Sequence, residues 1–141
     1  MNRLVIGVGN PTRGDDAAGL EVARRMQVVP ATEQVGGSLE LIDLWDSVDD
    51  VVVVDAARSG APAGTIHRFD AAAQRVPAST LATSTHSIGV SQAVELARAL
   101  KRLPPRLTVY GIEVGDLFPG AGLSPAVAAS IEELVEELDH A

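Results

Sequence analysis

The chain contains no cysteine. Thiol nucleophiles, cysteine-ligated zinc and disulfides are therefore excluded. Aromatic residues make up only 3% of the 141 residues, so the core must be assembled from Val, Leu, Ile and Ala. Basic residues are also scarce. Eleven Lys and Arg stand against 19 Asp and Glu, a formal net charge of -8. Nonspecific binding to nucleic acid relies on Lys and Arg to neutralise phosphates, and this balance argues against it. No apolar run approaches the roughly 18 residues of a membrane span. The run from Leu4 to Val8 is short, and the polar residues after it do not read as a signal peptide. A cytoplasmic protein with no membrane partner is expected.

What is present reads as one globular domain over residues 1–141. The chain is 46% hydrophobic and 21% charged, and it shows no repeat and no linker. Strand-like and helix-like segments alternate, the pattern of an α/β layered fold. Residues 3–9 form a continuous apolar run ending in glycine, as expected of a strand buried on both faces. Residues 31–35 read as a second strand. Residues 50–56, with four consecutive valines, read as the central strand, 64–69 as an edge strand and 106–114 as a further strand. Helical spacing runs from Asp16 to Met26, with Gly19, Val22, Ala23 and Met26 on one face. Residues 36–45 fit either period; Ser38 as a cap favours a helix. Residues 87–100 place Val90, Ala93, Ala97 and Leu100 on an inward face. The last helix starts at Pro125 with Ser124 as its cap, and carries the stripe Val127, Ile131, Leu134, Val135 and Leu138.

The segment "VIGVGNPTRGDDAAG", residues 5–19, starts like a nucleotide-binding turn. Gly7 and Gly9 fit the first two glycines of G-x-G-x-x-G, but Thr12 stands at the third. No G-K-[ST] follows, so a P-loop is excluded. Asp15 and Asp16 would also repel a phosphate placed at the helix start. An acidic pair beyond the carboxyl end of a strand suits a cation better. One of the pair serves equally well as a helix cap; Asp15 is assigned to supporting the loop or helix start, and Asp16 to the cation. Asp55 ends the valine strand, where an unpaired charge would cost several kcal/mol, roughly. The alternative is a structural Asp that accepts backbone N–H bonds from the next turn. His86 lies in the polar segment "TSTHSIGVS" ahead of a helix. His67, by contrast, reads as an exposed strand residue, and His140 as part of a frayed terminus. Asp16, Asp55 and His86 together make a two-carboxylate, one-imidazole set that would accept Ni, Zn, Mn or Fe.

These segments resemble the hydrogenase maturation endopeptidases, which process the large subunit of [NiFe] hydrogenases. "GVGNPTRGDDAAG" resembles the family's G-x-G-N-x-x-x-x-D-[DE]-x-x-G loop, in which Gly7, Gly9, Asn10 and Asp15 are scaffold positions. "VVVVDAARSGAPAGT" resembles its strand ending in Asp and a Pro-Gly turn, and "STHSIG" its histidine segment. "VYGIEVGDLFPGAGLSPAV" resembles the closing strand, loop and helix start. The resemblance implies a three-layer α/β/α fold with a twisted, mostly parallel five-stranded sheet. It implies metal-contacting and catalytic roles for Asp16, Asp55 and His86, with Asp16 standing where many members have Glu. Some members carry Asp-Gly-Gly-Thr in a segment linked to substrate recognition. Here the segment reads Val35-Gly36-Gly37-Ser38, so Gly36 and Gly37 mark the place while the acid is missing. The implied activity is removal of the C-terminal extension from a nickel-loaded large-subunit precursor, the nickel being carried by that precursor. Two other readings stand beside it: a non-catalytic checkpoint protein that binds the loaded precursor, and a nucleotide-binding protein.

Overall fold

Four valines in a row, Val51 to Val54, can be accommodated only where both faces of a strand are covered, and that is where they lie. In the computed structural model, which describes residues 2–9, 17–35, 40–77, 89–115 and 123–140, β3 (Asp50–Ala57) is the middle strand of five and is buried along its whole length. Its neighbours are β1 (Arg3–Gly9) and β5 (Arg106–Glu113). The edges are β2 (Ala31–Val35) and β4 (Ile66–Asp70), giving the order β2-β1-β3-β5-β4. All pairings are parallel except β4 with β5. The expected mostly parallel five-stranded sheet is the one observed.

Helices cover both faces. Strand residues alternate between faces, and the core divides accordingly. Val51 and Val53 pack with α2 (Glu40–Leu44) and α3 (Val90–Ala99), through Leu41, Ile42, Val90, Ala93, Val94 and Ala97. Val52 and Val54 pack with α1 (Ala18–Arg25) and α4 (Pro125–His140), through Ala18, Val22, Val127, Ile131, Leu134 and Leu138. The apolar stripe expected on the last helix is buried, apart from the half-buried Val135.

Four details depart from the sequence reading. Leu100 does not face inward; it is 54% exposed. The helix stops at Ala99 with Leu100 as its C-cap, and the positive φ of 58° at Lys101 turns the chain off the helix there, so the stripe ends at Ala97. His140 is not frayed but closes α4. His67 is half-buried rather than exposed. Gly7 is not a turn residue. It lies inside β1, opposite Val54 of β3, and a Cβ there would collide with the carbonyl of Gly19. A Cβ on Gly19 would in turn strike the carbonyls of Val8 and Val54. The two glycines let α1 approach the sheet backbone to backbone.

The end of α4 is latched to the turn between α1 and β2. The Asp139 carboxylate accepts N–H bonds from Gln27 (2.9 Å), Val28 (3.0 Å) and Val29 (3.1 Å). Burial pushes this carboxyl upward, but the three backbone bonds and the nearby His140 outweigh that and hold it below its ordinary value.

Candidate functional site

Because β1, β3 and β5 run parallel, their carboxyl ends share one edge of the sheet, the edge where open α/β folds bind ligands. Asp55 sits there, on β3, with 5% of its surface exposed. It has the parity of Val51 and Val53, so it projects on the face covered by α2 and α3. Its Oδ1 accepts the Ala56 N–H at 2.8 Å. Directly beside it on β5 is Gly111, which has no side chain to set against the carboxylate.

Of the site and loop residues singled out in the sequence, Asp55, Gly7 and Gly9 are described. Asp16, His86, Asn10, Asp15, Gly36 and Gly37 lie outside the described residues, as does Ser38. The flanking elements can still be placed. Gly9 ends β1 at the carboxyl edge, and Val35 ends β2 beside it, in register with Gly9. α3 begins after Gly89 and packs on the face that carries Asp55.

A second buried carboxylate on this edge escaped the sequence reading. Glu113, 3% exposed, closes β5 two residues beyond Gly111 and so shares its face. Its Oε1 accepts the Ser59 hydroxyl at 2.7 Å and lies 3.0 Å from His67 Nε2. The Ser59 N–H reaches both carboxylate oxygens, at 3.2 and 2.9 Å. Burial raises the Glu113 carboxyl, but hydrogen bonds from Ser59, His67 and the Ser59 and Gly60 amides prevail, so it titrates below its ordinary value. It is therefore ionised at neutral pH and can only accept, which places the bonded ring proton of His67 on Nε2. The sequence signal for Glu113 was the one that nominated Asp55, an acid at the end of an apolar strand.

Ser59, His67 and Glu113 do not form a hydrolytic triad. A triad needs the base to face the nucleophile with one nitrogen and the carboxylate with the other. Here Nε2 faces both, at 3.3 Å from Ser59 Oγ and 3.0 Å from Glu113 Oε1. Among the described residues no group of three or more His, Asp or Glu could hold a metal ion. A cation brought here by another molecule would find the oxygen donors of a buried carboxylate, Asp55, which suit a hard or borderline divalent ion.

Comparison with known proteins gives the family. The profile of the hydrogenase maturation protease family (HycI) matches residues 22–140. The chain is 29% identical to the hydrogenase 2 maturation protease of Escherichia coli K12, over 98% of this chain and 88% of that protein. It is also 29% identical to the hydrogenase expression/formation protein HupD of Thiocapsa roseopersicina, of which it spans 64%. In structure it is similar to the hydrogenase maturating endopeptidase HybD from E. coli, with a TM-score of 0.74 and 25% identity over 98% of this chain and 90% of that one. The [NiFe] hydrogenase maturation protease HybD from Thermococcus kodakarensis superposes with a TM-score of 0.77, over 99% of this chain and 98% of that one. At 23% identity, that second likeness speaks to the fold alone.

Proposed function

The chain belongs to the hydrogenase maturation protease family, and from that premise we propose that it removes the C-terminal extension of a nickel-loaded [NiFe]-hydrogenase large-subunit precursor, reading the nickel that the precursor carries. The metal in this reading is part of the substrate. Asp16, Asp55 and His86 contact its exposed side, and the scissile bond is brought to the carboxyl edge of the sheet. The net reaction is addition of water across one amide, giving a new C-terminal carboxylate and a released peptide with a free amine. The chain's residues contribute orientation, holding the precursor so that the bond and the attacking water meet.

The observation that supports this best is Asp55. It is a carboxylate buried at the end of a valine strand, on the ligand-binding edge and on the α2/α3 face, a place and a chemistry that suit a cation delivered by a partner. The described ionisable groups of this edge include the acids Asp55 and Glu113 with the imidazole of His67, and the whole chain carries a charge of -8, so neither nucleic acid nor a nucleotide phosphate is the expected ligand. No helix among the described residues is long and apolar enough to cross a membrane. The proposed site of action is the cytoplasm.

The experiment is incubation of the purified protein with a large-subunit precursor, loaded with nickel or free of it. Shortening of the loaded precursor alone is the expected result. A stable complex with an intact tail would replace the peptidase with the checkpoint reading. Cleavage of both forms would remove nickel from the recognition.

A further inference from the structure

His67 and Asp55 stand on the same rung of the sheet. His67 on β4 is opposite Gly111 on β5, and Gly111 is opposite Asp55 on β3. Directly opposed residues project to the same face, and two strand spacings separate the outer pair by about 10 Å between Cα atoms. Gly111, in the middle, contributes no side chain between them. The imidazole is 22% exposed and stacks on Phe69, with ring centroids 6.4 Å apart and planes at 9°.

The ring is held with unusual investment for a partly exposed group. The buried carboxylate of Glu113, the Ser59 hydroxyl and the Ser59 and Gly60 amides all converge on it or on the carboxylate that grips it. Burying a carboxylate is expensive unless its hydrogen bonds are filled, and here one of them is spent on fixing an imidazole. Both hydrogen-bond contacts of the ring are made at Nε2; Nδ1 has no hydrogen-bond partner among the described residues.

We propose that His67 is a substrate contact of this site, its Nδ1 hydrogen-bonding the backbone of the precursor segment that passes Asp55. Glu113 and Ser59 are positioning residues that fix the ring's tilt and tautomer. The inference rests on the peptidase reading above, and it adds a contact on β4 beyond Asp16, Asp55 and His86. It also accounts for Gly111, since a side chain there would stand between the metal-facing carboxylate and the imidazole. An extended peptide suits the place, because among the described residues β4 is an edge strand, and extended chains are recognised along sheet edges.

Two amide variants separate contact from clamp. The amide nitrogen of His67→Gln takes the place of Nε2 and keeps the bond to Glu113, while removing Nδ1. His67→Asn keeps a polar atom near Nδ1 and loses the grip of Glu113. Thermal unfolding is measured on both, together with kcat and KM for the nickel-loaded precursor. The proposal expects His67→Gln to fold with an unchanged Tm and to raise KM about tenfold at near-constant kcat, the effect of one lost hydrogen bond in uniform binding. His67→Asn should lose Tm and retain more of the affinity. Wild-type KM in His67→Gln would overturn the proposal and leave His67 as a structural clamp, with the peptidase reading intact. If the wild-type protein neither binds nor shortens the precursor, both readings fall.

Discussion

The strand β3 carries a buried carboxylate at each end, and the two are handled differently. Asp50 at the amino end and Asp55 at the carboxyl end are each 5% exposed. Asp50 projects on the α1/α4 face, where Arg3 Nε meets its Oδ2 at 3.0 Å and Arg106 stands on the next strand in register. A cleft of about 430 Å³ opens beside this pair, yet its acid already has its cation in the fold. Asp55 projects on the opposite face and takes a backbone amide, that of Ala56. Glu113 nearby is likewise held by amides and hydroxyls, with His67 beside it. An acid matched by arginine is finished as structure. An acid oriented by a backbone dipole is also fixed in place, as in preorganised sites, and it is this second acid to which the proposal above assigns a cation.

The contrast can be broken most directly at Asp55. Asp55→Asn keeps an oxygen for the Ala56 amide, so stability should change by less than about 1 kcal/mol, whereas processing should fall by at least a hundredfold, roughly. Gel-shift assays of precursor shortening, with denaturant unfolding alongside, read both; a variant that processes normally would return Asp55 to the structural class. Arg3→Ala asks the mirror question. It leaves Asp50 buried without its partner, but the Arg3 side chain is 30% exposed and solvent screens the pair, so the expected loss is about 1–2 kcal/mol of stability. Urea midpoints measure it, and kcat at 25 °C should not move.

A smaller effect is predicted for pH. Glu113 and Asp139 both titrate below their ordinary values of 4.5 and 3.8. Groups with depressed folded-state pKa contribute stability that is full above the unfolded values and is lost as pH falls through the folded ones. Unfolding midpoints should therefore be flat with respect to these two groups above about pH 5.5 and fall below about pH 4.5. Asp139→Asn should flatten part of that acid limb. An acid limb of unchanged steepness in the variant would mean that the amide-held carboxylates are not the source. The smallest expected effect is at Leu100. Leu100→Gln should stay within about 0.5 kcal/mol of wild type, because the side chain is exposed; a larger loss in thermal unfolding would restore it to the core.

The layered fold was readable because its signals are strong and local. Four valines fixed the central strand, and Ser124-Pro125 fixed the start of α4. The place of Asp55, near the end of a buried strand, was readable for the same reason, being a charge after an apolar run. Leu100 was misplaced because periodicity says where a stripe points, not where the helix stops, and the turn at Lys101 decides that. His67 was misplaced because alternation on an edge strand cannot show that the neighbouring strand offers a glycine and then a buried acid. The role of Gly7 needed the partner Gly19, twelve residues away on another element. Long-range pairings of this kind leave no spacing to read. The other two residues of the proposed metal set, Asp16 and His86, lie outside the described residues, so their reading stays with the sequence and the proposal built on it.

The latch at Asp139 has a consequence for how the molecule is made. Three amides at residues 27–29 wait for a carboxylate more than 100 positions later in the chain. During synthesis from the amino terminus, the first β-α-β unit emerges with that turn unfilled and with its α4-facing surface bare. Contacts so distant in sequence must await loop closure over almost the whole chain, which favours late and cooperative assembly over stepwise folding. The nascent protein should therefore remain sensitive to protease until α4 has left the ribosome, and acquire its resistance in one step.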